Sequence, residues 1–150
     1  MSDEHPFSKK VILLVEDNED DVLIMRTVFR KTGLVNPVQV VRNGEEAIAY
    51  LSGTGDYKDR ERYPRPSVIL LDLNMPRVNG FEFLKWLRAQ EDLRRIVVEV
   101  ITASSRPGDV ERAFDAGANG YMVKPTSVDK LIAMMSAWHH MMEFRSLPEY

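Results

Sequence analysis

The chain has 150 residues, a length that suits one domain with a sizeable core. Its net charge of −3 makes no electrostatic case for nucleic acid, and with no cysteine it forms neither disulfides nor thiolate metal sites. Residues 1–10 are polar without an apolar signal core, and no apolar stretch approaches the ~20 residues of a membrane span, so the expectation is a cytoplasmic protein with no membrane partner.

Short apolar runs alternate with longer amphipathic segments. The first run predicts a strand over 11–15, followed by Glu16-Asp17 and by Asn18, a suitable cap for a helix over 19–32 that Gly33 stops. A strand over 38–41 leads to a helix over 44–52. The segment 53–66 is charged and proline-punctuated, which reads as a solvated surface insertion rather than a partner contact. Val68-Ile69-Leu70-Leu71 predicts the third strand and delivers Asp72. Asn79-Gly80 is a turn signal before a helix over 80–89. A strand over 96–101 hands over to Thr102, with Glu99 as a polar interruption that the pattern does not explain. A helix over 107–116 and the connection Ala116-Gly117-Ala118-Asn119-Gly120 lead to a strand over 120–123 and then to Lys124-Pro125. The last helix, over 127–143, carries Val128, Leu131, Ile132, Met135, Trp138 and Met142 at helical spacing, which reads as core packing. Met134, Met141, Phe144 and Leu147 widen that apolar surface beyond what one sheet face covers. Either the tail folds back or it forms a dimer interface, and the dimer is the expectation taken.

Strands that are apolar at every position are covered on both faces. With strand–helix alternation they predict an α/β fold, a parallel sheet with right-handed crossovers. In such a sheet the C-terminal strand ends converge on one crevice. Glu16, Asp17, Asp72, Thr102 and Lys124 all stand at such ends.

Crowded carboxylates repel one another unless a cation neutralises them. A hard divalent ion with oxygen ligands suits the set, and Mg²⁺ needs few protein carboxylates. Asp17 and Asp72 are the expected direct ligands, joined by the backbone carbonyl of Asn74, with Glu16 holding a metal-bound water. A carboxylate beside a metal is prepared for phosphoryl transfer, with Asp72 as nucleophile forming an acyl phosphate. Lys124 and Thr102 would neutralise and hydrogen-bond the transferred oxygens. Singly, each group has an ordinary reading: Glu16-Asp17 and, more so, Glu19, Asp20 and Asp21 complement a helix dipole, Thr102 ends a strand, and Lys124 is solvated. The conjunction carries the argument.

On the residues Glu16-Asp17, Leu71-Asp72-Leu73-Asn74-Met75-Pro76, Thr102-Ala103-Ser104 and Tyr121-Met122-Val123-Lys124-Pro125, with Gly80 and Ala116-Gly117-Ala118, the chain resembles a receiver domain of the two-component response-regulator family. The resemblance runs from about residue 10 to 142, with 143–150 as a tail, and treats 1–150 as a single domain. It implies a five-stranded, doubly wound, flavodoxin-like parallel sheet of order 2-1-3-4-5 and phosphorylation of Asp72 by a sensor histidine kinase. It implies a switch in which the Thr102 hydroxyl turns to the phosphoryl group and Tyr121 moves inward, and a Lys124–Pro125 bond that is typically cis. Asn74 and Ser104 are placed to influence water access to the acyl phosphate. The insertion ending Tyr63-Pro64-Arg65-Pro66, the Asn43-Gly44-Glu45 step and the Leu147-Pro148-Glu149 tail resemble single-domain regulators associated with phytochrome kinases. That implies a bacterial phytochrome as candidate kinase and a homodimer through the face of the fourth strand, fifth strand and last helix. No output domain follows Tyr150, so the expectation is that the chain is itself the message or a phosphorelay shuttle.

Two other readings compete. A haloacid-dehalogenase-type phosphatase also uses aspartate, Mg²⁺, a hydroxyl and a lysine, but it usually places a second Asp where Asn74 stands and its nucleophile ends the first strand. A flavodoxin-like binding module without phosphorylation leaves the acid–hydroxyl–lysine set unexplained. His139 and His140 are neighbours on a helix and point about 100° apart, so a solvated helix face suits them better than a metal site.

Overall fold

The structure is a computed structural model that describes residues 6–73 and 79–145. A 3₁₀ turn (Pro6–Lys9) precedes β1 (Ile12–Val15), α1 (Glu19–Lys31), β2 (Val38–Val41) and α2 (Gly44–Ser52). A second 3₁₀ turn (Gly55–Tyr57) leads to β3 (Val68–Leu71), α3 (Gly80–Ala89), β4 (Val97–Thr102), α4 (Pro107–Ala116), β5 (Gly120–Val123) and α5 (Val128–Met142). The five strands form one parallel sheet of order β2-β1-β3-β4-β5.

Every residue of β1, β3 and β4 is buried, as continuous apolar runs require. Leu13, Val15, Ile69, Leu71, Val98 and Val100 face a core with α2, α3 and α4. Ile12, Leu14, Val68, Leu70, Val97 and Ile101 face a second core with α1 and α5. Burial of this many aliphatic side chains, at ~1.5–3 kcal/mol each, is the main favourable term in the fold.

The helix starts follow from side-chain caps. Asn18, Asn43 and Asn79 accept from the backbone N–H of Asp21, Glu46 and Glu82, and Ser127 caps α5 through Lys130 N–H. Gly33 takes φ 77 just beyond α1, a left-handed value that suits glycine.

Three expectations need correction. β4 ends one residue later than expected, so Thr102 is its last residue and pairs with Val123 instead of following the strand. Val128, the first residue of α5, is 46% exposed and does not join the core, while Leu131, Met135, Trp138 and Met142 are buried as expected. The insertion over 53–66 is exposed over much of its length but is not loose. Arg60 donates to the carbonyls of Tyr50 (2.7 Å), Leu51 (2.8 Å) and Tyr63 (3.0 Å), which ties the segment to the end of α2. Tyr50 donates to the Pro64 carbonyl at 2.7 Å, and the rings of Tyr50, Tyr57 and Tyr63 pack together. Sequence charge alone does not show that one arginine faces inward to cap a helix.

Candidate functional site

Parallel strands that start together end together. The C-terminal ends of β1, β3, β4 and β5 therefore deliver Glu16-Asp17, Asp72, Thr102 and Lys124 to one edge of the sheet. Backbone bonds fix the approach: Asp72 N–H donates to the Val15 carbonyl at 3.2 Å, Glu16 N–H to the Val41 carbonyl at 3.0 Å, and Lys124 N–H to the Thr102 carbonyl at 2.7 Å. Gly80 lets α3 start against this edge, because a Cβ there would lie 2.8 Å from the Leu73 Cα.

One carboxylate oxygen from each of Glu16, Asp17 and Asp72 lies within 4.8 Å of the others, a spacing that fits a shared cation. Asp17 is exposed, whereas Glu16 is 2% and Asp72 9% exposed, so the cluster is open on one side and walled on the other. The Lys124 ammonium is 2.5 Å from Glu16 Oε1, 3.5 Å from Asp72 Oδ2 and 3.7 Å from Asp21 Oδ2. One ammonium thus pairs with three carboxylates, and Asp17 adds a fourth to the cluster. The excess of anionic oxygen suits a hard divalent ion such as Mg²⁺.

The electrostatics follow. Burial pushes the Glu16 carboxyl up to about 7, and the Lys124 hydrogen bond and charge pull it back only in part. Burial alone would lower the Lys124 ammonium, but the Glu16 hydrogen bond and the Asp72, Glu16 and Asp21 charges raise it overall, so the lysine stays charged.

Thr102 is fully buried, and its Oγ1 has no hydrogen-bond partner among the described residues. Tyr121 is half-buried and its hydroxyl donates to the Ser104 carbonyl at 2.9 Å, while Ser104 Oγ donates to Asp109 Oδ2 at 2.5 Å. The loop after β4 is therefore held from both β5 and α4. Burial raises the Tyr121 phenol above its ordinary value.

All the expected side chains that fall on described residues meet at one edge: Asp17, Asp72, Glu16, Thr102, Lys124 and, behind Thr102, Tyr121. The Asn74 carbonyl lies outside the described residues. The Lys124–Pro125 bond is trans, since the described residues include no cis peptide; trans is the form that X–Pro bonds ordinarily favour. Sequence reasoning missed Asp21, read only as a helix-dipole residue. No local pattern marked it, because Asp17 lies ahead of the Asn18 cap and the two do not share a helix face.

The chain matches the family described as "Response regulator receiver domain" over residues 12–136. It is 37% identical over 135 residues to response regulator Rcp1 of Synechocystis sp., covering 90% of this chain and 89% of that protein. The phosphorylated cyanobacterial phytochrome response regulator RcpA superposes with a TM-score of 0.85 at 32% identity, over 94% of this chain and 99% of that one. The Mn²⁺-bound form of Rcp1 superposes with a TM-score of 0.82 at 35% identity, over 93% and 99%.

Proposed function

The chain belongs to the response regulator receiver family of two-component signalling, and on that premise we propose that Asp72 accepts a phosphoryl group from the phosphohistidine of a sensor histidine kinase. An Asp72 carboxylate oxygen attacks phosphorus, an O–P bond forms, the P–N bond breaks, and the imidazole leaves with a proton. Relatives named for phytochrome signalling support a bacterial phytochrome as that kinase.

The observation that carries the reading is the buried Thr102 hydroxyl, which has no hydrogen-bond partner among the described residues, at the sheet edge where the Lys124 ammonium lies 3.5 Å from Asp72 Oδ2. A buried unpaired hydroxyl costs ~1–3 kcal/mol, and an incoming phosphoryl oxygen removes that cost. Lys124 is long enough to exchange its hold on Asp72 for one on the phosphoryl group. Asp17 and Asp72 would hold Mg²⁺ directly with the Asn74 backbone carbonyl, and Glu16 would hold it through water. Bound there, Mg²⁺ neutralises charge that develops on the transferred group.

Drawing Thr102 Oγ1 towards the phosphoryl group changes the space beside β5, and Tyr121 moves into it, giving up its bond to the Ser104 carbonyl. The surface so altered is the face of β4, β5 and α5, which supports phosphorylation-linked homodimerisation there. Val123, Val128, Met141 and Phe144 are exposed apolar residues on or beside it. The 1–150 chain acts as one receiver unit and carries the signal through that face, in the cytoplasm.

Size measurement with Mg²⁺ and beryllofluoride, a phosphoryl mimic, tests the reading. The wild type shifts towards dimer and Asp72→Asn does not respond; an equal response in both, or none in either, overturns it.

A further inference from the structure

The phosphoryl site leaves one buried carboxylate without a task. Glu99 lies inside β4 on the sheet face that carries α1 and α5, and it is 3% exposed. A lone carboxylate in such a place is strongly disfavoured. Its Oε1 accepts from Arg145 Nη1 at 3.0 Å, and Arg145 is the third residue beyond α5. The facing residue on β5 is Gly120, where any Cβ would collide with the Glu99 carboxyl, and the next residue is Tyr121.

Among the described residues, Arg145 is the one cation paired with it. Glu99 lines a groove of about 350 Å³ with Tyr121, Met122, Met134, Trp138 and Met141, all uncharged. Burial raises the Glu99 carboxyl above its ordinary value, and the Arg145 charge and hydrogen bond oppose the rise. Meanwhile Phe144, beside Arg145, is 89% exposed. A turn that displays an aromatic ring to water does not hold its place through that ring.

We propose that Glu99 and Arg145 form an internal strap, in which a buried anion on β4 fixes the turn after α5 against the β4–β5 edge and presents Phe144 on the face beside Tyr121. The strap is a property of the unphosphorylated fold. It deepens the dimer reading only in naming Phe144 as a held contact, and it stands or falls in the monomer, whatever the outcome of the size measurement.

The test is a cycle of Arg145→Gln, Glu99→Gln and the double variant, followed by thermal unfolding. In the same backgrounds, a nitroxide on Phe144→Cys reads local mobility; the chain has no other cysteine. The raised Glu99 carboxyl contributes stability below its unfolded value that is lost as pH rises, and removing Arg145 enlarges the loss. Arg145→Gln therefore lowers Tm by about 4 °C or more near pH 7.5 and by less near pH 5. It also narrows the nitroxide spectrum. Glu99→Gln removes the charge that needs Arg145, so adding Arg145→Gln to it changes neither quantity further. If Arg145→Gln leaves Tm and label mobility at the wild-type values, or if its effects persist undiminished in the Glu99→Gln background, the strap is overturned.

Discussion

At the scale of single residues, Lys124 is the balance point of the site. It neutralises Glu16 and Asp72 at the same time. Replacing it with alanine leaves the carboxylates mutually repelling, so a divalent ion binds more tightly, on the order of tenfold, while the response to beryllofluoride is lost. Isothermal titration with Mg²⁺ reads the first effect and size measurement the second. Tyr50 makes a different, structural statement. Burial holds its phenol up at about 12, against 10.0 in an open chain. A raised folded-state value means that its stabilising share is complete below pH 10.0 and is lost as pH climbs towards 12. Tyr50→Phe loses the bond to the Pro64 carbonyl, costs ~1 kcal/mol near neutrality, and unfolds less steeply above pH 10.0. Denaturant titrations across that range check both parts. Most site residues were legible because each follows an apolar run in the chain, so strand topology alone places them together. Asp21 was not legible as a site residue, because its approach to Lys124 depends on how the first turn of α1 sits relative to the residue after β5, which no local pattern records.

At the scale of elements, the strands and helices were read nearly to the residue because caps and apolar runs agree. Asn18, Asn43 and Asn79 each stand where a helix needs a side-chain acceptor, and the strands carry few polar residues. The insertion over 53–66 was misread because its composition is that of a loop, while its order comes from Arg60. Gly53 leaves room for that side chain: a Cβ at Gly53 would lie 3.0 Å from Arg60 Nε. Arg60→Ala removes a charged donor from three carbonyls and is expected to cost ~2 kcal/mol, since hydrogen bonds from a charged donor are the stronger kind. Limited proteolysis checks it: cleavage within 53–66 rises in the variant while the sheet stays intact, and unchanged protection speaks against the anchor. Gly80→Ala acts on the site itself. Its Cβ meets Leu73 backbone, so α3 is pushed from the edge that carries Asp72, and both Tm and phosphoryl acceptance fall.

At the scale of the whole molecule, the two cores on either side of the sheet have different duties. The α2–α3–α4 core extends to Tyr121, which packs against its rim. The α1–α5 core holds Phe7 against the Trp138 and His139 rings and is crossed by the Glu99–Arg145 pair. A phosphoryl event at the sheet edge thus lies next to β5, and β5 lies between the site and the α5 face. A parallel sheet was readable from the alternation of elements and its doubly wound order from the family resemblance, but the sidedness of that face was not, because it depends on where Glu99 and Arg145 meet.

The central claim is that Asp72 is the phosphoryl acceptor and needs the divalent ion beside it. Mass measurement of the intact chain after incubation with a phosphorylated histidine kinase tests this most directly, with and without Mg²⁺, for the wild type and Asp72→Asn. The account predicts one phosphoryl group per wild-type chain, carried on Asp72 and acquired only with Mg²⁺, and none on the variant. Undiminished incorporation by Asp72→Asn, or by the wild type stripped of divalent ions, would contradict it.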